Sequence, residues 1–323
     1  MKRFIRIFLL IIGALLGILL VGPFLVPVPP LKGTVPAETL ADPDGRFAQV
    51  NGLKVYYKLA GQGQPALVLL HGFAANLYSW REVFAPLAQD YKVAAFDRSA
   101  FGLTERPLQW SGQNPYSAAA QVSLTTGLMD QLGLDKAVLV GNSAGGAIAL
   151  QTAVDHPERV QALVLVDPAI YTGGRTPPLL KMLFHTPQGR RLGPLFARSF
   201  PKWGMKIGQM AWHDLSKFTP QEWDGYRKPM MVDNWDQALF EMFAADYSND
   251  LPQHLAEIKI PVLVITGDDD RIVPTAQSVR LSQELPNAKL VVIPQCGHVP
   301  QEECPQAFLQ AINEFLADLP KSS

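Results

Sequence analysis

The feature that most constrains the fold is a serine placed in a tight turn between a predicted strand and a predicted helix. Residues 141–146 read Gly-Asn-Ser-Ala-Gly-Gly and follow the apolar run 137–140, while the small residues of 147–153 suit a helix. A G-x-S-x-G sequence in this context is typical of a nucleophile elbow, which holds a serine hydroxyl at the carboxyl end of a strand. Glycine lacks a Cβ and so permits the close backbone approach that the turn requires. We therefore expect Ser143 to be a nucleophile.

The rest of the chain alternates short apolar strands with helices. A hairpin is predicted over 47–59, because Asn51-Gly52 is a typical two-residue turn between strands. The alternation that follows predicts a mostly parallel twisted sheet covered by helices on both faces. The predicted strands cover 66–70, 91–96, 137–141, 160–166, 261–267 and 290–294, and the predicted helices lie near 79–89, 117–132 and 145–155.

Two later segments supply partners for Ser143. Asp270 follows the predicted strand at 261–267, and His298 follows the one at 290–294. Because parallel strands end at the same edge of a sheet, we expect the three side chains to meet there. A histidine that takes the serine proton, oriented by a carboxylate, makes the hydroxyl a competent nucleophile.

The reaction also needs hydrogen-bond donors that stabilise an oxyanion. The predicted strand at 66–70 runs into His71-Gly72-Phe73. The backbone N–H groups of Phe73 and Ala144 are therefore the expected donors, while His71 is expected to be structural.

These residues carry a resemblance to the capped, serine-nucleophile branch of the α/β-hydrolase superfamily, over roughly residues 47–318. The order Ser143, Asp270, His298 is the triad order of that fold. The resemblance implies an α/β-hydrolase fold with a helical cap at about 170–255. The matching segments are 71–73, 97–102, 141–146, 156–160, 267–274 and 297–298.

The resemblance also bears on the acid and on the reaction. Relatives place their acid directly before an Arg-Ile-Val-Pro-like segment, which favours Asp270 over its neighbours Asp268 and Asp269. Some members of the fold carry the acid at the position of Asp167 instead, and Asp270 is favoured over that rival too. The elbow is similar to that of carbon–carbon bond hydrolases of ring-cleavage products. Those enzymes usually have a tryptophan after the histidine, whereas this chain has Val299.

The predicted cap is rich in tryptophan and methionine. Such side chains form adaptable apolar walls, so we expect an apolar substrate tunnel, although more than half of these residues are expected simply to pack the cap. They are Trp203, Trp212, Trp223, Trp235, Met182, Met205, Met210, Met230, Met231 and Met242.

The N-terminus predicts a membrane anchor. Lys2, Arg3 and Arg6 precede an uncharged, mostly apolar run over 7–31, which is long enough to span a bilayer. The basic residues should remain cytoplasmic and the catalytic domain should lie on the opposite side. The alternative is a cleaved signal peptide and secretion. We predict an anchor over 1–27, a Pro- and Gly-rich linker over 28–46 and an α/β-hydrolase domain over 47–323.

Composition excludes several other classes. A net charge of −1 is unfavourable for nucleic-acid binding. The only two cysteines, Cys296 and Cys304, are expected to be free thiols, with a bridge left open. No His/Cys cluster has the spacing of a metal site, and no P-loop is present, so neither a metal nor another cofactor is expected.

The sequence therefore predicts a membrane-anchored, carboxylesterase- or lipase-like serine hydrolase that cleaves an ester or similar acyl bond of an apolar small molecule. Three alternatives stay open: a carbon–carbon bond hydrolase, an acyltransferase or perhydrolase on the same triad, and a non-catalytic binding protein. Substrate-binding residues and oligomeric state are not predicted.

Overall fold

The chain is built around one eight-stranded sheet, seen in a computed structural model that describes residues 2–171, 178–245 and 250–319. The strand order is β1-β2-β4-β3-β5-β6-β7-β8. The strands are β1 (Arg46–Val50), β2 (Leu53–Ala60), β3 (Leu67–Leu70), β4 (Val93–Phe96), β5 (Ala137–Asn142), β6 (Val160–Val166), β7 (Val262–Gly267) and β8 (Ala288–Ile293). The pairings from β4 through β8 are all parallel, and only β1–β2 and β2–β4 are antiparallel.

Helices cover both faces of this sheet and form an insertion above it. The predicted helices near 79–89, 117–132 and 145–155 correspond to the second, third and fourth in the chain. The helices are α1 (Lys2–Leu25), α2 (Arg81–Asp90), α3 (Ala118–Gln131), α4 (Ala144–Asp155), α5 (Pro178–Phe184), α6 (Pro187–Ala197), α7 (Phe200–Met210), α8 (Pro220–Arg227), α9 (Trp235–Ala244), α10 (Leu251–His254), α11 (Thr275–Glu284), α12 (Pro300–Glu303) and α13 (Pro305–Ala317).

The central strands are buried on both faces, as their continuous apolar sequences predict. In β3, alternate residues enter opposite cores: Val68 packs in the core with α3, α4 and α11, and Leu69 packs in the core with α2 and α13. The predicted hairpin turn also forms, with positive φ at both Asn51 (52°) and Gly52 (81°). The mostly parallel, doubly covered sheet expected from the sequence is thereby confirmed.

Helices α5–α9 lie between β6 and β7, within the span predicted for the cap. Positions 172–177 and 246–249 of that predicted span lie outside the described residues. The helices have their own apolar core, in which Phe200 and Phe240 pack against Phe101 from the loop after β4. Gly193 of α6 lies so close to α9 that a Cβ there would be 2.4 Å from the Phe240 ring. These helices thus pack tightly against one another and against the loop after β4.

The N-terminal helix has the length and composition of a membrane span or a signal sequence. Residues Arg3–Leu25 have a mean hydropathy of 2.9, and none of this segment is buried. Pro23 lies inside α1, which ends two residues later at Leu25. Within the described residues, no other helix meets the length and hydropathy criteria for a span.

Candidate active site

Ser143 occupies the strained turn that its sequence predicts. Its φ of 53° and ψ of −118° are unfavourable for a residue with a side chain, and they place it between the end of β5 and the start of α4. A Cβ on Gly145 would lie 2.1 Å from the Leu70 carbonyl oxygen, and one on Gly141 would lie 2.5 Å from the Gly145 carbonyl oxygen. Both glycines are therefore required by the close approach of three backbone segments.

His298 is hydrogen-bonded to Asp270. The Nδ1 atom of His298 lies 2.7 Å from Oδ2 of Asp270, and both side chains are buried. The other carboxylate oxygen of Asp270 accepts hydrogen bonds from the N–H groups of Ile272 (2.7 Å) and Val273 (2.9 Å). Since an ionised carboxylate only accepts, Nδ1 carries the proton and Nε2 is left to accept one.

The two aspartates next to Asp270 have other partners. The carboxylate of Asp269 pairs with His213, 2.8 Å away, and with Arg271. Oδ1 of Asp268 accepts a hydrogen bond from the N–H of Cys296 at 3.3 Å. Both carboxylates thus shape the surrounding loops, and neither is the partner of His298.

Asp167, the remaining rival acid, lies directly behind Asp270. Its Oδ1 accepts hydrogen bonds from the Thr266 hydroxyl (2.6 Å) and the Gly267 N–H (3.3 Å). Burial, followed by the charge of Asp270, raises the pKa of Asp167 well above its usual value. Burial and the neighbouring carboxylate thus favour the protonated form of Asp167.

The expected oxyanion loop lies beside the elbow. Phe73 lines the same pocket as Ser143. Ala144 is the first residue of α4, so its backbone N–H has no acceptor within the helix. A Cβ on Gly72 would be 3.3 Å from Cβ of Ser143, so the loop and the nucleophile are in close contact. The assignment of Phe73 and Ala144 as donors stays a prediction.

His71 and the loop after β4 hold the oxyanion loop in place. Nε2 of His71 accepts a hydrogen bond from the Arg98 N–H at 3.0 Å, and burial, together with the Arg98 charge, lowers the pKa of His71 well below its usual value. Asp97 accepts hydrogen bonds from the N–H groups of Leu77 and Leu103, both at 2.7 Å. Burial raises the pKa of Asp97 to about 6. These contacts match the structural role expected for His71, and they show that Asp97 anchors the loop after β4.

Three further residues that the sequence did not single out organise the site. Asn142 donates from its side chain to the carbonyls of Val166 (3.2 Å) and His298 (3.1 Å), and so ties the elbow to the histidine loop. Glu303 accepts hydrogen bonds from the N–H groups of Gly297 (2.7 Å) and His213 (3.0 Å). Only the position of Asn142 inside the elbow motif was available as a sequence signal.

The third of these residues is Glu302, which links the cap to the core. Tyr226 of α8 and Arg81 of α2 both donate hydrogen bonds to its buried carboxyl. Burial raises the pKa of Glu302 to about 7, against the opposing effect of the Arg81 charge.

The expectation of two free thiols was wrong. Cys296 and Cys304 form a disulfide with a Cα–Cα distance of 6.4 Å. The bridge closes the loop that carries His298, because the chain turns back at α12 and brings Cys304 beside Cys296. This pairing depends on that turn, which local sequence patterns did not reveal.

Ser143 and His298 open into one apolar pocket between the cap and the sheet, with about 810 Å³ of empty space. Of the tryptophans and methionines expected to form a tunnel, Trp212, Trp223 and Met230 line this pocket. Trp235 and Met242 pack inside the cap. The remaining apolar walls come from Phe73, Phe200, Ile207, Phe218, Ile272 and Val299.

Among the described residues, two groups have atoms close enough to hold a metal ion. The first is Asp167, Asp270 and His298, in which Asp270 is already hydrogen-bonded to His298. The second contains Cys296, Glu303 and Cys304, but its sulfurs form the disulfide and Glu303 accepts backbone N–H groups. In each group, atoms that would bind a metal ion are thus engaged in contacts within the protein.

Comparisons with known proteins agree with this geometry. The sequence profile of the alpha/beta hydrolase fold matches residues 65–305. An uncharacterised hydrolase of Bacillus subtilis is 32% identical over 85% of this chain and 98% of its own length. A 2-hydroxy-6-oxo-2,4-heptadienoate hydrolase of Pseudomonas putida is 30% identical over 84% of this chain and 96% of its own length. The crystal structure of a membrane phospholipase A superposes over 100% of both chains, with a TM-score of 0.68 and 26% identity.

Proposed function

The chain belongs to the α/β-hydrolase family, and we propose that it is a membrane-anchored serine hydrolase that cleaves an ester or similar acyl bond of an apolar small molecule. One observation carries this proposal. Ser143, held in the strained elbow, lines the same apolar pocket as His298, whose Nδ1 is bound to the Asp270 carboxylate.

In the proposed reaction, Oγ of Ser143 attacks the acyl carbonyl carbon while Nε2 of His298 takes the hydroxyl proton. The Asp270 carboxylate stabilises the imidazolium, and the N–H groups of Phe73 and Ala144 stabilise the oxyanion. The C–O bond to the leaving group then breaks, and His298 protonates the departing alcohol. A water molecule, deprotonated by His298, attacks the acyl-enzyme and releases the acid.

The pocket favours an apolar acyl group. Among the described residues that line it, His298 is the only basic side chain, and aromatic and aliphatic groups dominate the walls. Apolar surface of this kind stabilises an acyl chain by removing it from water. Within the described lining of this pocket, no side chain offers a fixed positive charge to an anionic substrate.

A carbon–carbon bond hydrolase is the second candidate, favoured by the similarity to the heptadienoate hydrolase and by the elbow sequence. The substrate named for that relative carries a carboxylate. The buried cation Arg106 lines an adjoining pocket that shares Phe200 and Met230 with the first. If this reaction were the true one, Arg106→Met should abolish turnover of the dienoate and leave turnover of a neutral ester unchanged.

The anchor proposal depends on α1. Its basic N-terminus and apolar length fit a single span with the N-terminus in the cytoplasm and the catalytic domain on the opposite side. Two observations favour an uncleaved anchor over a signal peptide. Gln188 of α6 donates a hydrogen bond to the Leu20 carbonyl of α1, and the membrane phospholipase A aligns along the whole chain, α1 included.

The test is labelling of the detergent-solubilised full chain with a fluorophosphonate, mapped by mass spectrometry. Modification of Ser143, absent in Ser143→Ala, is expected, followed by preferential turnover of longer acyl esters over short ones. The folded protein should turn over a p-nitrophenyl acyl ester faster than a ring-cleavage dienoate. A folded chain that neither reacts with the fluorophosphonate nor turns over any ester would refute the proposal. Faster turnover of the dienoate than of the ester would instead support the carbon–carbon bond hydrolase.

A further inference from the structure

Helices α5, α6 and α7 expose an unusual set of large apolar side chains on the outer surface of the cap. Leu179 and Met182 of α5 are 66% and 60% exposed. Soluble surfaces seldom expose such side chains in clusters, because each leaves apolar area in contact with water. We call this surface the cap face; its apolar members are Leu179, Leu180, Met182, Leu183, Phe196, Met205 and Met210.

The same segment is strongly basic. Residues 178–210 contain six lysines and arginines and no acidic residue, although the whole chain has a net charge of −1. Lys202 and Lys206 are exposed beside Met205 on α7. Exposed apolar side chains interspersed with cations are the pattern of helices that lie in the interface of an anionic membrane.

Three hydrogen bonds from α6 fix the position of the cap face along the axis of α1. Gln188, at the start of α6, donates to the carbonyl of Leu20 (3.1 Å), and Arg191 donates to that of Val26 (3.2 Å). Further along, Arg198 donates to the carbonyl of Pro29 (2.7 Å). The helix α6 therefore begins beside the apolar part of α1 and runs outward along it.

Helix geometry gives the distance of the cap face from the end of α1, and hence its depth in the bilayer. Leu20 lies five residues before the end of α1 at Leu25, which corresponds to about 7.5 Å along the helix axis. The start of α6, and the preceding α5, thus lie level with the last apolar turns of α1. Interfacial helices bury their apolar faces about 5–10 Å into the boundary between headgroups and acyl chains.

Helix α7 connects this surface to the catalytic pocket. Phe200, Gly204 and Ile207 recur at helical spacing on its inner side and line the pocket that contains Ser143. Its outer side carries the exposed Met205 and Lys206. A single helix therefore separates the apolar pocket from the cap face.

We propose that the cap face docks on the surface of the anionic bilayer that α1 spans, so that an acyl substrate reaches the pocket from the lipid phase. This inference rests on the proposed membrane anchor. Insertion of α5 removes its apolar side chains from water, while the exposed cations Arg190 of α6 and Lys202 and Lys206 of α7 contact lipid phosphates. The orientation requires no rearrangement of α1, because the hydrogen bonds to Leu20, Val26 and Pro29 already hold α6 beside it.

The test uses the full chain in vesicles of phosphatidylcholine and phosphatidylglycerol. Three variants, Met182→Cys, Leu10→Cys and Val292→Cys, each place one free thiol for an environment-sensitive fluorophore, while the native disulfide is kept under non-reducing conditions. Leu10 reports on α1, Met182 on the cap face, and Val292 is an exposed control on β8. Brominated lipids should quench the fluorophore at Leu10 and Met182 but leave the one at Val292 unchanged.

The outcomes distinguish a failure of the cap face to dock from a failure of α1 to span the membrane. Quenching at Leu10 without quenching at Met182 would refute the docked cap face and leave the anchor intact. A lack of quenching at Leu10 would instead refute the anchor and, with it, this inference. Quenching at all three positions would show unfolding or burial without orientation, which also contradicts the proposal.

Charge supplies a second test on the same vesicles. Lys202→Gln with Lys206→Gln should reduce the docked fraction reported by the Met182 fluorophore, with about a fivefold change in the docking equilibrium for each charge removed. Lys289→Gln on β8 is the matched control and should have no effect. Equal quenching in pure phosphatidylcholine and in the anionic mixture would show that lipid charge does not contribute to docking.

Discussion

Two substitutions of the same kind, Asp270→Asn and Asp167→Asn, should differ in their effects on catalysis by about three orders of magnitude or more. Each replaces one carboxyl oxygen with an amide NH₂ group and leaves the volume almost unchanged. The two carboxyls lie in contact and both are buried. Any difference in activity therefore reports on hydrogen-bond polarity rather than on packing.

For Asp270→Asn, the structure determines which end of the amide faces the histidine. The N–H groups of Ile272 and Val273 both require an acceptor at the Oδ1 position. The amide nitrogen must then occupy the Oδ2 position, 2.7 Å from Nδ1 of His298 in the parent chain. Because that nitrogen only donates, Nδ1 has to accept and the proton moves to Nε2. The histidine can no longer take the Ser143 proton.

The expected loss is large. An Asp-to-Asn change that stabilises the wrong histidine tautomer lowers kcat by about 10⁴ in serine proteases, which corresponds to about 5 kcal/mol of transition-state stabilisation. We expect a loss of the same order for Asp270→Asn in this chain.

For Asp167→Asn, the same reasoning predicts a loss of less than about tenfold. The Thr266 hydroxyl and the Gly267 N–H keep the amide oxygen at the Oδ1 position. The amide nitrogen then faces Asp270 as a donor, as does the protonated carboxyl that burial favours in the parent chain. The Asp270 carboxylate and its hydrogen bond to His298 are unchanged.

The assay is the steady-state hydrolysis of a p-nitrophenyl acyl ester, supported by the rate of fluorophosphonate labelling. Similar losses for the two variants, or a larger loss for Asp167→Asn, would refute the reasoning and move the acid to β6. A stability measurement provides a control. Since the pKa of Asp167 is raised above 3.8 in the folded state, the parent chain should lose stability relative to Asp167→Asn as the pH rises above that value.

Three further predictions concern the cap, the elbow and the anchor. As the pH rises from 4.5 to 7, the free energy of unfolding of the parent should fall by about 3 kcal/mol relative to that of Glu302→Gln, because burial raises the folded-state pKa of Glu302 to about 7. Denaturant titrations of both proteins at several pH values would measure this change. Gly145→Ala should abolish labelling of Ser143, since its Cβ would lie 2.1 Å from the Leu70 carbonyl oxygen; unchanged labelling would contradict the geometry of the elbow. Removal of residues 1–27 should yield a detergent-independent enzyme with ester hydrolysis retained, and a folded but inactive product would instead tie α1 to catalysis.

Much of the sheet was predictable because its strands are short, apolar and buried on both faces. The predicted strand at 160–166 coincides with β6, and the one at 137–141 ends a single residue before β5 does. Local patterns are sufficient there, since a buried parallel strand needs a continuous apolar run. The prediction was weakest in the cap, whose short helices are punctuated by prolines and have no simple apolar period.

The candidate site was likewise only partly predictable from the sequence. The order of Ser143, Asp270 and His298 along the chain predicted which side chains approach one another. It did not reveal the supporting contacts of Asn142 and Glu303, which join segments far apart in the sequence.

The sequence by itself determined the sheet, the elbow and the apolar N-terminal helix, because each depends on residues close together in the chain. Only the tertiary structure decided which of four aspartates binds His298, and which one has its pKa raised by burial behind that pair. It also decided that Cys296 and Cys304 are joined, and which side of α7 faces the pocket. These outcomes depend on distances and burial between separate segments, which the order of residues does not specify until the chain has packed.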